Sequence, residues 1–90
     1  MTERDGPRFD PHGRRLVYVE IARVLEERIR DGTYPPESRL PAELDLVAEF
    51  GAARETVRQA VRLLADRGLV ETVRGKGSFV RPPEDWPPSQ

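Results

Sequence analysis

Arg54 and Arg58 stand four residues apart in the run Arg54-Glu55-Thr56-Val57-Arg58-Gln59. On an α-helix that spacing points both guanidinium groups the same way, one turn apart. A guanidinium fork matches the paired O6 and N7 acceptors on the major-groove edge of guanine, and one such contact is worth about 1–3 kcal/mol of discrimination. Thr56 can donate to a phosphate or offer its methyl group to thymine, and Gln59 can reach a base or a phosphate. Arg62, one turn further on, suits a phosphate. A second cationic cluster follows in Arg74-Gly75-Lys76-Gly77-Ser78. Its glycines let the backbone approach a phosphate or enter a minor groove, where arginine meets concentrated negative potential. The string is not a nucleotide phosphate loop, since it lacks the preceding spaced glycine and the direct Gly-Lys-Ser/Thr junction. The chemistry on offer is recognition of duplex DNA. With no cysteine, a lone His12 and carboxylates scattered along amphipathic stretches, no catalytic residue, metal site or cofactor is expected.

Helices must hold these side chains out, and their pattern is legible. Leu16 to Arg30 carries Val17, Ile21, Val24, Leu25 and Ile29 on one helical face. Asp31-Gly32 closes that helix and Pro35-Pro36 forbids its resumption. Pro41 opens a second helix over Ala42 to Phe50, with Leu46, Val47 and Phe50 inward and Gly51 as its stop. A third helix over Arg54 to Arg67 lines Val57, Ala60, Val61 and Leu64 along one stripe and leaves Arg54, Glu55, Arg58, Gln59 and Arg62 outside; Gly68 ends it. Leu69 to Val73 and Ser78 to Val80 are β-prone runs joined through Gly75-Lys76-Gly77 as a hairpin. The expected fold is mostly α with a small β-hairpin: a winged helix-turn-helix of three helices plus a two-stranded wing. Its third helix is free to enter a major groove. The domain spans 16–81, between a charged N-terminal tail over 1–15 and a Pro-rich C-terminal tail over 82–90, both expected to be flexible.

Ninety residues allow one small core and little room for an effector-binding domain as well. No apolar run approaches a membrane span, and Met1 to Gly13 is too charged for a signal peptide, so a cytoplasmic setting is expected. The formal net charge of −1 conceals a lopsided distribution. Arg54 to Arg81 holds seven basic side chains against three acids, whereas Arg14 to Ala53 holds six against eight. Local field, not total charge, governs nucleic-acid binding.

Five blocks in order carry a resemblance: Leu40-Pro41-Ala42-Glu43, Gly51-Ala52-Ala53, Arg54 through Ala60, Gly68-Leu69-Val70, and Arg74 through Val80, with Ile21-Ala22 and Gly32 before them. Over about 16–81 the chain resembles the DNA-binding domain of GntR-family bacterial transcription regulators. The resemblance implies a winged helix working as a homodimer on a near-palindromic operator, and the expected function is that of a repressor. It makes Arg54 and Arg58 base readers, Thr56 a phosphate or base contact, and Arg74 with Gly75 the wing tip in the minor groove. Glu43 then caps the second helix or orients an arginine instead of touching DNA. The chain departs from the family pattern in several places. Leu44 stands where an arginine is common, Ala53 where a capping Ser or Thr is, and Pro36-Glu37 where Pro-Gly is. The family's effector domain is not in this sequence, which fits either a free-standing small regulator or a piece of a longer protein. Leu44 and Ala53 also leave open a winged-helix protein–protein module, and a low-specificity DNA coat is the third reading.

Overall fold

The apolar spacing of the first helix is realised in α1 (Arg14–Arg30), with Ile21, Ala22, Leu25 and Ile29 fully buried. The computed structural model describes residues 14–88. The tail expected over 1–15, with His12, therefore lies outside the described residues except for Arg14 and Arg15, which are helical. Val17, expected on the inward stripe, is 41% exposed, because the fully buried stretch of α1 begins one turn later at Ile21. Gly32 takes φ +89° beyond the helix end. Asp31 then accepts hydrogen bonds from the Thr33 amide and hydroxyl, at 2.9 and 2.7 Å, which hold its carboxyl below the usual range, the hydroxyl bond most of all.

The second helix, α2 (Glu43–Phe50), starts one residue later than expected, with Ala42 as N-cap and Pro41 outside the helix. Its C-cap Gly51 is left-handed (φ 63°, ψ 31°) and donates to Val47 O at 2.9 Å. The short turn leads into α3 (Arg54–Asp66), which buries Thr56, Val57, Ala60 and Leu64. At its end, Leu69 N donates to Leu64 O at 3.0 Å and Gly68 N to Ala65 O at 3.1 Å. This Schellman pairing satisfies the terminal carbonyls, and Gly68 supplies the positive φ (+86°) it requires. Leu40, Leu46, Leu69, Val70 and Val80 join the α1 and α3 faces in one core.

The wing is β1 (Val70–Val73) paired antiparallel with β2 (Gly77–Val80), in the register Val70↔Val80 to Val73↔Gly77. The other edge of β2 is not open. Leu40 N donates to Ser78 O, Val80 N to Ser38 O and Glu37 N to Val80 O, each at 2.8 Å, and Arg39 bridges to Phe79. Residues 37–40 thus act as a third, very short strand that the flanking prolines hid from sequence reading. At its start Glu37 occupies φ +72°, a left-handed conformation where most families of turns place glycine.

The C-terminal segment corrects the expectation of a flexible tail over 82–90, as far as Pro88. A 3-10 turn, Pro83–Asp85, follows Arg81, whose amide continues the sheet to Leu69 O at 3.0 Å. Trp86 Nε1 donates to Arg81 O at 2.8 Å, and the Arg30 guanidinium lies over the indole at 5.7 Å while donating to Pro87 O at 2.7 Å. Proline-rich composition suggested mobility, but the prolines here fix φ in a segment anchored by an aromatic side chain.

Candidate nucleic-acid interface

Glu43, the first residue of α2, meets the first turn of α3. Its Oε1 accepts from Arg54 Nε at 2.5 Å and its Oε2 pairs with Arg58 Nε at 3.3 Å. One carboxylate therefore holds both arginines by their Nε groups, and of the two readings open for Glu43 the geometry is that of orienting, since Ala42 is the N-cap and makes no side-chain cap. Glu55 adds a long 3.5 Å pair to Arg58 Nη1. The two terminal nitrogens of Arg54 have no hydrogen-bond partner among the described residues, and the side chain is exposed.

Facing this helix, the wing turns through Arg74, Gly75 and Lys76. Lys76 N donates to Val73 O at 2.9 Å, and Gly75 at φ +77° occupies the third turn position, where a type II turn needs positive φ. A groove runs between α3, the start of α2 and the wing. Among the described residues it is lined by six cationic side chains, Arg39, Arg54, Arg58, Arg62, Arg74 and Lys76, and by one carboxylate, Glu43, already shared between two of them. Confinement of like charge in a cleft focuses its field on an incoming polyanion.

The structure gathers most of the sequence-predicted set here: Glu43, Arg54, Arg58, Arg62, Arg74, Gly75, Lys76, Gly77 and Ser78 all line the groove. Two do not belong. Thr56 is 3% exposed, because it lies on the same helical face as Val57 and Ala60, so its side chain packs inward and does not line the groove. Gln59 is half-buried and does not line the groove. Ser78 is half-buried and its hydroxyl lies 3.0 Å from Thr72 Oγ1 across the hairpin, so it ties the two wing strands together. Ala53 is the N-cap of α3 and, having no side-chain acceptor, makes no side-chain cap; Leu44, although apolar, is 62% exposed on α2. Arg39 was missed. The alternation of half-buried Ser38, exposed Arg39 and buried Leu40 was the available signal, too short between prolines to read as a strand.

A helix-turn-helix with a cation-lined wing defines a DNA-binding domain of the winged-helix class. The family model of bacterial regulatory proteins of the gntR family matches residues 17–80, and the chain belongs to that family. It is 39% identical over 67 residues to the histidine utilization repressor of Klebsiella aerogenes, covering 74% of this chain and 28% of that protein. It is 40% identical over 63 residues to the transcriptional regulator TreR of Bacillus subtilis, covering 70% of this chain and 26% of that one. The chain thus spans under a third of the curated relatives it matches. Among solved structures, the DNA-binding domain of AraR in complex with operator ORE1 superposes with a TM-score of 0.70 at 30% identity, covering 89% of this chain and 93% of that one. Among the described residues no helix is long and apolar enough to cross a membrane.

Proposed function

We propose that this chain is the operator-reading domain of a bacterial transcription repressor that acts in the cytoplasm. In this reading α3 lies in the major groove with Arg54 and Arg58 on base edges. The wing tip, with Arg74 and Lys76, enters the adjacent minor groove, and Arg62 meets a phosphate. Two copies bind as a homodimer on a near-palindromic operator, because one domain of this size makes too few contacts for tight specific binding. The observation that carries the proposal is the groove itself, which among the described residues is lined by six cations and one carboxylate, that carboxylate being paired with Arg54 and Arg58 on the first turns of α3. The naming of several relatives as repressors supports the sign of regulation.

The test is binding to a pool of randomised duplexes, followed by fluorescence anisotropy on the enriched sequence at two salt concentrations. Enrichment of a palindrome is expected. Arg58→Ala should then lose discrimination between the enriched and a scrambled duplex. Lys76→Ala should weaken both alike and flatten the salt dependence by about one unit. Equal loss on both duplexes for Arg58→Ala would overturn base reading. Binding without enrichment would point to a DNA coat, and no binding at low salt to a protein–protein module.

A further inference from the structure

Arg39 reaches the groove from an unexpected side. It sits on the short strand formed by residues 37–40, opposite Phe79 on β2. Gly77 is two residues back along β2, on the same face of the sheet and diagonal to Arg39, a separation that long side chains span. A Cβ placed on Gly77 would stand 3.0 Å from Arg39 Nε and 3.5 Å from its Cδ. The bare glycine therefore gives the arginine stem a flat bed across the base of the wing. Arg39 is exposed and has no carboxylate within ion-pair distance among the described residues, while the groove's own carboxylate is engaged by Arg54 and Arg58.

We propose that Arg39, laid across Gly77, is a phosphate-binding residue that anchors the DNA backbone between the wing and the recognition helix. The inference rests on the duplex-binding reading above. A phosphate is the fitting ligand because Arg39 projects from the sheet and not from the helix that would enter the major groove, and because a guanidinium with no carboxylate partner among the described residues is suited to bidentate binding of a phosphate. It also gives Gly77 a different job from the backbone contact expected of it: to leave room.

The experiment is the salt dependence of binding to a random-sequence duplex, measured by anisotropy between 50 and 200 mM salt. Arg39→Gln retains a stem of similar breadth over Gly77 and removes the charge. It should lower the slope of log affinity against log salt by about 0.9, so that the loss across that range shrinks about 3.5-fold. The enriched operator and the random duplex should be weakened by the same factor, Arg39→Lys should keep the slope, and the melting temperature should not move. An unchanged slope for Arg39→Gln, alongside a flattened slope for Lys76→Ala, would overturn the role of Arg39 and leave the DNA-binding reading standing. A lowered melting temperature with an unchanged slope would make Arg39 a brace of the wing and overturn it too. Failure of the unaltered chain to bind duplex would remove both readings together.

Discussion

Replacing Glu43 by alanine should separate two properties that most interface substitutions change together. The carboxylate is 31% exposed, and its partners Arg54 and Arg58 are 65% and 56% exposed. Ion pairs this open contribute about 0–1 kcal/mol to folding, so the melting temperature should hardly change. Binding is another matter. Immobilising one rotamer-rich side chain at an interface costs about 0.5–1.5 kcal/mol, and Glu43 settles two of them before DNA arrives. Without it, about 1–3 kcal/mol shifts to the binding step, which corresponds to an affinity about 5- to 150-fold weaker for the selected operator. On scrambled duplex the sign reverses or vanishes, because removing the one carboxylate that lines the groove among the described residues frees Arg54 to meet phosphates and leaves Arg58 only its long pair to Glu55. Anisotropy on the two duplexes at one salt concentration reads the ratio directly. Glu43→Gln, which keeps one acceptor oxygen, should fall between. An equal loss on both duplexes, or none on either, would refute the idea that this carboxylate prepares the arginines for reading.

Ala53→Ser restores an acceptor at the uncapped start of α3 and should raise stability by about 0.5–1 kcal/mol in a thermal melt. Glu37→Gly relieves a left-handed backbone at φ +72° and should stabilise by about 0.5–1 kcal/mol, the gain being reduced by the greater freedom of glycine in the unfolded chain. Gly68→Ala should do the opposite. At φ +86° its Cβ would stand 2.9 Å from the Asp85 carbonyl oxygen, so melting should fall and the fluorescence of Trp86, the sole tryptophan, should shift to the red as the C-terminal segment lifts. The hydrogen bond from Arg28, helped by the charge of that guanidinium, holds the Glu49 carboxyl below its usual range. A depressed folded-state pKa means stability present above the ordinary glutamate range and lost as pH falls through the lowered value. Glu49→Gln should flatten that acid limb of the unfolding curve while leaving neutral pH little changed.

What could be read beforehand was what is local. The 3.6-residue spacing of Ile21, Leu25 and Ile29, the stops at Gly32, Gly51 and Gly68, and the four-residue spacing of Arg54 and Arg58 all act within one or two turns. The misses depended on partners distant in the chain. Ser38, Arg39 and Leu40 become a strand only because β2 offers its second edge, and composition alone made their proline neighbours look like a plain loop. The segment to Pro88 is held by Arg30, 57 residues before Pro87, a partner that its proline-rich composition does not reveal. Thr56 lies inward for a finer reason. It stands at the margin of the α3 apolar stripe, where a periodicity argument cannot decide between the two faces, and the packing of α3 against α1 and α2 turned it inward.

The sharing of one carboxylate by two arginines constrains how this domain can acquire a new target sequence. The outward positions of α3 lie off the core, so an altered Arg54 or Arg58 should leave folding almost untouched. Yet, in the proposed docking, losing either arginine should leave part of the Glu43 charge uncompensated, where it would repel phosphates. Drift toward a different operator should therefore run through correlated exchanges at 43, 54 and 58, with the second helix recording each change of vocabulary in the third.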